Sequence, residues 1–280
     1  MTAAPFENLV ELTTGVTLRY AEQGNPSGIP LLLLPGLGDS WHSFKPVLEH
    51  LSDSIRVFAL TQRGHGDSSH PRDGYRFHDF EADLEAFMDT LDLPAAVVAA
   101  HSASGFFAQR LSIDRPELVL GLVFIGSPLT LRHHAGLHEA WDSTISKLED
   151  PVDPVFVREM QAGTLAKPIP QDFFEVLVAE MMKVPARVWR EAFEQLLNED
   201  LVAELSKIDV PTLVVWGDRD GIVSRADQNS LVASIKRSLL VVYAGAGHSP
   251  HWEEPERFAS DLSTFIRLRE TPQSPETKGT

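Results

Sequence analysis

The stretch AAVVAAHSASGFFAQRL, residues 95–111, passes from an apolar run to a helix-like pattern through the small residues SASG. The run Ala95–Ala100 is short and uninterrupted, which is typical of a strand buried on both faces. Ser102 stands where the strand pattern stops and the helix pattern begins. Such a serine can be a helix N-cap, because its hydroxyl accepts a bond from an N–H of the first turn. It can also be a nucleophile on a tight turn, and that role requires a base, an acid and an oxyanion site elsewhere in the chain.

Six more apolar runs of similar length alternate with helical patterns, which include Asp79–Leu91 and a closing helix that begins at Pro255. An α/β architecture requires such alternation, and uninterrupted runs favour a parallel sheet covered on both faces. The opening FENLVELTTG, residues 6–15, adds one antiparallel hairpin strand. The sequence therefore predicts an α/β fold with a mostly parallel eight-stranded sheet and helices on both faces. The other predicted strands are Val16–Ala21, Pro30–Leu34, Ile55–Leu60, Val119–Ile125, Thr212–Trp216 and Leu239–Tyr243.

The segment between Ser127 and Val210 has no strand pattern but is rich in aromatic and methionine side chains. It is too long for a structureless loop in a compact domain. The sequence therefore predicts an inserted helical cap at residues 128–210, which its prolines divide into short helices. Residues 1–127 and 211–270 would form the core, and the polar residues 271–280 are predicted to be a flexible tail.

Composition excludes several classes of partner. With 40 acidic and 24 basic residues the chain has a formal net charge of −16, which would repel a phosphate backbone, so nucleic acid is not an expected partner. Its apolar runs fall well short of the roughly 20 residues that cross a bilayer, so no membrane association is expected. The opening MTAAPFENLV lacks the features of a secretory signal, and a cytoplasmic location is the default expectation.

Residue types also restrict the chemistry. The chain has no cysteine, which excludes disulfides, thiolate metal sites and a cysteine nucleophile. Two histidines four residues apart with an intervening glutamate, the metal-ligand pattern on a helix, do not occur in the sequence. We therefore expect a mechanism that uses no metal and no cofactor.

A serine hydroxyl is activated by a base that a carboxylate orients. In open α/β sheets such groups gather beyond the carboxyl ends of the strands. Asp220 follows the run PTLVVW and is placed to reach a neighbouring loop, with Asp218 as a rival two residues earlier. His248 follows the last strand pattern, among small residues that leave its imidazole uncrowded. The other histidines are expected to be structural or solvated, and His101 is expected to pack against the sheet.

An oxyanion site needs backbone N–H groups on a turn rather than particular side chains. The run LLLLPGLGDS, residues 31–40, leads from a buried strand pattern into a glycine turn, and we assign the N–H of Leu37 as one donor. Ala103 follows Ser102 at the start of a helix pattern and supplies the second N–H. Without Ser102, the two glycines of this turn would indicate nothing more than a tight bend.

Together these segments resemble the α/β-hydrolase family across residues 5–270. Two departures from the family pattern occur: Ala100 and Ser104 stand where the elbow usually has glycine, and Pro35 stands where the oxyanion turn commonly has histidine. The order Ser, Asp, His along the chain is that of the family. The matching segments are LLLLPGLGDS for the oxyanion turn, QRGHGDS for the loop that follows, VVAAHSASG for the nucleophile elbow, TLVVWGDRD for the acid strand and AGAGHSPHWEEPERF for the histidine loop and last helix.

The resemblance implies a serine hydrolase that cleaves a carboxylic ester or lactone through an acyl-enzyme intermediate. Ser102 would be the nucleophile, His248 the base and Asp220 the acid that orients it, with Leu37 and Ala103 as the oxyanion donors. A serine at the elbow argues against the haloalkane dehalogenases and epoxide hydrolases of this fold, which use aspartate. The aromatic and methionine side chains of the cap suggest a small-molecule substrate with an apolar part, although most of them are expected to form the cap's own core.

Other functions stay open on the same residues. In relatives this triad supports carbon–carbon bond hydrolysis of dienoic ketones, or cofactor-free perhydrolysis and haloperoxidation. A noncatalytic small-molecule receptor on the same fold is a further alternative, which the filled triad positions disfavour. The sequence leaves the oligomeric state open.

Overall fold

Eight strands form a single sheet in the computed structural model, which describes residues 5–270 of the 280. Their order across the sheet is β1-β2-β4-β3-β5-β6-β7-β8, and the strands from β4 through β8 in this order pair in parallel. The predicted α/β fold with a mostly parallel eight-stranded sheet is confirmed. The strands are β1 (Phe6–Glu11), β2 (Thr17–Gln23), β3 (Pro30–Leu34), β4 (Arg56–Leu60), β5 (Ala96–His101), β6 (Val119–Ile125), β7 (Thr212–Gly217) and β8 (Ser238–Tyr243).

The antiparallel hairpin predicted at the start of the chain is present, because β1 pairs antiparallel with β2. The sequence pattern gave no direction for β2 relative to the rest of the sheet, and β2 also runs antiparallel to its other neighbour, β4. Residues 24–29 between β2 and β3 are too few for the crossover that a parallel connection needs. The direction of β2 therefore reverses relative to the strands that follow.

Helices connect and cover the strands. Among the described residues, no helix is long and apolar enough to cross a membrane. The helices are α1 (Lys45–Leu48), α2 (Phe77–Thr90), α3 (Ser104–Asp114), α4 (Ala135–Ser143), α5 (Pro154–Ala162), α6 (Gln171–Met181), α7 (Ala186–Asn198), α8 (Arg225–Ser234), α9 (Pro250–Glu253) and α10 (Pro255–Glu270), with short 3-10 turns at Trp41–Phe44, Pro116–Leu118, Ile145–Lys147 and Leu205–Lys207.

Alternate residues of the central strands feed two separate cores. Leu32 and Leu34 of β3 pack with α2 and α3 on one face, whereas Leu31 and Leu33 pack with α1 and α10 on the other. The side chains of a strand point alternately to opposite faces, so a run of four leucines is buried only when both faces are covered. Helices on both faces are thus confirmed.

Between β6 and β7 the described chain contains helices and turns but no strand, and an isolated bridge joins Thr130 to Asp200. This region contains helices α4 to α7, and the last three of them begin at or directly after a proline. Pro154 is the first residue of α5, Pro170 directly precedes α6 and Pro185 directly precedes α7. We call residues 128–210 the cap region. Its separation from a core of residues 1–127 and 211–270 stays a prediction, and the predicted tail at 271–280 lies outside the described residues.

Candidate active site

Ser102 occupies a sharp turn between β5 and α3. Its φ is +52°, a left-handed conformation that costs an L-residue roughly 1–2 kcal/mol. Hydrogen bonds on both sides hold this conformation: the Ser102 N–H donates to the Ile125 carbonyl at 2.9 Å, and the Ser102 carbonyl accepts from the Gly105 N–H at 2.9 Å. Ala103, and not Ser102, is the N-cap of α3, and no side chain caps that helix. The hydroxyl of Ser102 is therefore free for another role.

That hydroxyl ends a chain of three side chains. Ser102 Oγ lies 2.8 Å from His248 Nε2, and His248 Nδ1 lies 2.9 Å from Asp220 Oδ2. A carboxylate only accepts hydrogen bonds, so Nδ1 carries the hydrogen and Nε2 is left to accept the serine hydroxyl. The side chain of His248 is 3% exposed and that of Asp220 is fully buried, which keeps water from competing for these bonds.

The loop after β7 places its two candidate aspartates differently. Asp220 Oδ1 accepts from the backbone N–H groups of Ile222 and Val223 at 2.8 and 2.9 Å, which leaves Oδ2 facing the imidazole. Asp218 instead accepts from the N–H of Gly245 at 2.6 Å, on the exposed side of the loop. The structure thus brings Asp220 to His248, and it leaves Asp218 away from it.

The histidine is also positioned through its backbone. The N–H of His248 donates to the carbonyl of Thr164 in the cap region at 2.8 Å. Gly126, at the end of β6, passes so close that a Cβ there would lie 2.6 Å from the carbonyl oxygen of His248. The cap region and the end of β6 together set where the imidazole stands.

Both predicted oxyanion donors belong to residues near Ser102 in the fold or in the chain. Leu37 lines the same cavity as Ser102, and Ala103 is its chain neighbour. Within residues 5–270, neither Leu37 N–H nor Ala103 N–H donates a hydrogen bond. Both amides thus lack an acceptor in the described part of the chain, which keeps their predicted role as donors to an oxyanion open to them.

The turn that carries Leu37 is fixed by side chains from two other segments. Gln62 Nε2 donates to the carbonyl of Pro35 at 2.9 Å, and the hydroxyl of Ser104 donates to the same carbonyl. Gln62 Nε2 also donates to Ser104 Oγ at 2.7 Å. Ser104 therefore ties the start of α3 to the turn that presents the Leu37 N–H.

Ser102 opens into a cavity of about 90 Å³ beneath the cap region. Of the aromatic and methionine side chains noted in the sequence, some line this cavity and others support them. Trp141 stacks on Phe193, and Phe156 packs edge-on against Trp189. The apolar lining consists of Leu37, Leu131, Leu137, Met160, Met181, Trp189, Phe193, Leu196 and Ile222.

Asp39 is a polar residue of this cavity that the sequence patterns did not indicate. Asp39 is 3% exposed, and its Oδ1 accepts from Nε2 of Gln161 on α5 at 2.7 Å. Burial raises the pKa of this carboxyl to about 7, against the opposing effects of the Gln161 hydrogen bond and of nearby His248. Its position directly after the glycine turn of β3, at the carboxyl end of a parallel strand, was the signal that could have identified it.

His101 is buried, as predicted, but it lies beneath the oxyanion turn. A Cβ at Gly36 would come within 2.8 Å of His101 Nδ1, so this position of the turn has no room for a side chain. Burial, together with the neighbouring His251 and His248, holds the pKa of His101 well below its usual value. In the described part of the chain, no three His, Asp or Glu side chains converge as a group that could hold a metal ion.

A family model for the alpha/beta hydrolase fold matches residues 29–255. The chain belongs to the alpha/beta hydrolase family. The resemblance inferred from the five sequence segments is thereby confirmed.

Similar proteins span most of this alpha/beta hydrolase and differ in the reactions that their names state. The 3-oxoadipate enol-lactonase 2 of Acinetobacter baylyi is 25% identical over 256 residues, which cover 90% of this chain and 94% of the relative. A non-heme chloroperoxidase of Streptomyces lividans is 26% identical over 278 residues, covering 92% and 99%. An esterase from Exiguobacterium antarcticum has the same fold, with a TM-score of 0.84 at 20% identity over 94% of this chain and 100% of the esterase.

The two unusual elbow positions of this alpha/beta hydrolase have different surroundings. Ala100 is fully buried in β5, and the hydroxyl of Ser104 is used in the bonds to Pro35 and Gln62. The position with no room for a side chain is Gly105, where a Cβ would lie 2.5 Å from that of Ser127. The tight approach of α3 to the end of β6 thus depends on Gly105, one residue beyond the usual glycine of the elbow.

Proposed function

We propose that this protein is a serine hydrolase that cleaves an uncharged carboxylic ester or lactone through an acyl-enzyme intermediate. The observation that carries the proposal is the hydrogen-bond chain from Ser102 through His248 to Asp220 at the wall of a largely apolar cavity. Each member has one of the roles that acyl transfer needs: a nucleophile, a base and a group that orients the base.

In the first half-reaction Ser102 Oγ attacks the substrate carbonyl carbon while its proton passes to His248 Nε2. The carbonyl oxygen becomes an oxyanion that accepts from the N–H groups of Leu37 and Ala103, and each such donor is worth about 3 kcal/mol in the transition state. His248 then gives its proton to the departing alcohol oxygen as the carbon–oxygen bond breaks. In the second half-reaction water loses a proton to His248 and attacks the acyl carbon, and Ser102 leaves with that proton. Asp220 keeps the imidazole in the required tautomer and stabilises its charged form throughout.

The preference for an uncharged substrate follows from the lining of the cavity. Among the described residues that line it there is no lysine and no arginine, whereas Asp39 contributes a buried carboxyl group. A substrate carboxylate would lose its hydration without gaining a cation, which is strongly unfavourable. Neutral esters and lactones meet no such penalty.

Ester hydrolysis by four proteins tests this proposal. We expect wild type to hydrolyse p-nitrophenyl acetate or butyrate, and both Ser102→Ala and Asp220→Asn to lower kcat roughly 10³-fold or more, because triad members act as one unit. Asp218→Asn is the matched control, since it changes an aspartate in the same loop that does not contact His248. Full turnover by Ser102→Ala, or a loss in Asp218→Asn with none in Asp220→Asn, would contradict the assignment.

A second acceptor for the same acyl-enzyme is hydrogen peroxide, and similarity to the Streptomyces chloroperoxidase favours it. Peroxide would replace water in the second half-reaction and release a peracid, which oxidises halide without a cofactor. Monochlorodimedone halogenation in acetate with peroxide and bromide measures this activity. We expect it to disappear in Ser102→Ala together with ester hydrolysis, whereas halogenation that survives this substitution would exclude the shared intermediate.

A further inference from the structure

The proposed triad leaves one buried carboxyl group of the cavity unused. Asp39 lines the cavity together with Ser102 and Leu37, and only its Oδ1 is engaged, by Nε2 of Gln161. Within the described residues Oδ2 accepts no hydrogen bond, and Nδ1 of His101 lies 3.9 Å away from it. Nδ1 of His101 and Oε1 of Gln161 are themselves buried without hydrogen-bond partners. The polar groups around Asp39 are therefore incompletely satisfied.

A largely buried carboxyl group that borders an apolar cavity is unfavourable for folding, because it has lost most of its hydration and gained one hydrogen bond. Buried polar groups that lack hydrogen-bond partners are concentrated at the functional sites of native proteins, where a ligand supplies the missing partner. Burial raises the pKa of Asp39 to about 7, so near neutral pH both its protonated and its ionised form are populated. A hydroxyl group suits both forms, because it can donate to the carboxylate and accept from the acid, whereas an ammonium group suits only the carboxylate.

We propose that Asp39 Oδ2 binds a hydroxyl group on the substrate and so makes the enzyme selective for hydroxylated esters or lactones. The inference rests on the proposed function, in which the carbonyl carbon is held beside Ser102 and the N–H of Leu37. Because Asp39 follows Leu37 by two residues on the same turn and faces the same cavity, the hydroxyl lies within a few bonds of the reacting carbonyl. Gln161 orients the carboxyl group and takes no direct part.

Isosteric pairs of esters, in which a hydroxyl replaces a methyl group, test this selectivity. On the acyl side the pair is ethyl 3-hydroxybutyrate and ethyl 3-methylbutyrate, and on the alcohol side it is 2-hydroxyethyl butyrate and propyl butyrate. We expect the wild-type protein to prefer the hydroxylated member of at least one pair by roughly 10-fold or more in kcat/KM, because a buried polar group left unpaired disfavours the apolar isostere. Ethyl 3-aminobutyrate is expected to have a lower kcat/KM than ethyl 3-hydroxybutyrate.

Substitutions then assign the preference to Asp39. Asp39→Leu should reduce the ratio of the two kcat/KM values to about one, and Asp39→Asn, which keeps two hydrogen-bonding atoms, should retain part of it. The control is Asp142→Leu, the same substitution at an exposed position of the cap region, which should leave the ratio as in wild type. The proposal would be overturned by equal kcat/KM values within both pairs in wild type, by a preference for the amine, or by a ratio that survives in Asp39→Leu. Asp39 would then have only a structural role, as a hydrogen-bond contact between the turn and α5.

Binding separates this proposal from the proposed function. Calorimetric titration of the Ser102→Ala protein with the same ester pairs needs no turnover, and we expect tighter binding of the hydroxylated ester, lost in the Ser102→Ala, Asp39→Leu double variant. If wild type hydrolyses no ester but this preference is observed, the hydrolase proposal fails and the hydroxyl site stands. If esters are hydrolysed without a preference in turnover or binding, the hydroxyl site fails and the hydrolase proposal stands.

Discussion

At the scale of single residues, the nucleophile turn shows how this chain departs from the glycine pattern of its family without losing the turn. Ser102 adopts φ +52° with hydrogen bonds on both sides, and Gly105 provides the close approach to Ser127. Ser104, at the position usually occupied by glycine, has its hydroxyl on the carbonyl of Pro35. Where the family usually has glycine, this chain has a serine whose hydroxyl connects the elbow to the oxyanion turn.

Under the proposed function we expect Ser104 to act as a positioning residue, and its substitution has a specific expected effect. In Ser104→Ala the Leu37 N–H is held less firmly, so kcat for p-nitrophenyl butyrate should fall roughly 10-fold with KM little changed, as expected when a transition-state interaction is weakened. Affinity for a trifluoromethyl ketone, which forms an oxyanion, should fall in parallel.

The control for Ser104 is Ser112→Ala on the same helix. Ser112 is equally buried, and its hydroxyl donates to the carbonyl of Ala108 within α3, away from the turn. Ser112→Ala should keep the wild-type kcat, although its melting temperature should fall by about as much as that of Ser104→Ala. If the two variants lose activity equally, or if Ser104→Ala changes stability alone, Ser104 has no positioning role.

Asp39 gives a prediction for the pH dependence of stability. Its carboxyl pKa is about 7 in the folded protein, against 3.8 as the ordinary value, so between these pH values the folded state holds a proton that the unfolded state has lost. Stability therefore falls as pH rises from 4 to 7, by up to about 1.4 kcal/mol for each pH unit from this group. Asp39→Asn removes this loss.

Urea unfolding at pH 5 and pH 8 measures the effect. The free energy of unfolding of Asp39→Asn should rise relative to wild type on going from pH 5 to pH 8, whereas Asp142→Asn should follow wild type at both values. A constant difference between Asp39→Asn and wild type at the two pH values would show that the Asp39 carboxyl has an ordinary pKa.

At the scale of elements, the helices of the cap region shape the cavity by resting on the oxyanion turn. A Cβ at Gly38, whose φ is +91°, would lie 2.5 Å from Cε of Met181 on α6 and 3.1 Å from the Trp189 ring on α7. The contact is thus close enough to require glycine in the turn. Because these helices line a cavity of only about 90 Å³, we expect short acyl chains to be preferred.

Trp189→Leu tests how the cap region controls substrate size. Trp189 is 1% exposed and lines the cavity, so the smaller side chain should move the best p-nitrophenyl ester to a longer acyl chain while the free energy of unfolding falls by about 2–4 kcal/mol. Trp141→Leu is the control, because Trp141 packs on Phe193 outside the cavity lining and should leave the chain-length profile as in wild type. An unchanged profile in Trp189→Leu would mean that α7 does not limit the acyl chain.

At the scale of the whole molecule, the features that the sequence predicts correctly are those encoded locally. The run Leu31–Leu34 is apolar without interruption because both faces of β3 are covered, and Pro154 and Pro185 mark helix starts because proline fits the first turn. Ser102 and His248 were identified as candidates by their places after strand patterns, and their side chains lie 2.8 Å apart, whereas their catalytic roles stay a prediction.

Features that depend on contacts between distant segments were not predictable in the same way. Asp39 and Gln161 are 122 positions apart, and nothing in either segment indicates that α5 rests on the oxyanion turn. The pairing of β2 with β4 depends likewise on strand order, which the apolar pattern of a single strand does not contain. Pattern reasoning identifies elements and their ends, whereas the cavity lining and edge pairing arise only when the elements pack together.

The proposed function depends on a Ser102 hydroxyl that His248 and Asp220 make reactive. Reaction of the protein with a fluorophosphonate, followed by digestion and mass spectrometry, measures that reactivity. We expect a single adduct on Ser102 that is absent in Ser102→Ala and forms far more slowly in His248→Ala. Labelling of a different serine, or a Ser102 that reacts at the same rate with and without His248, would contradict it.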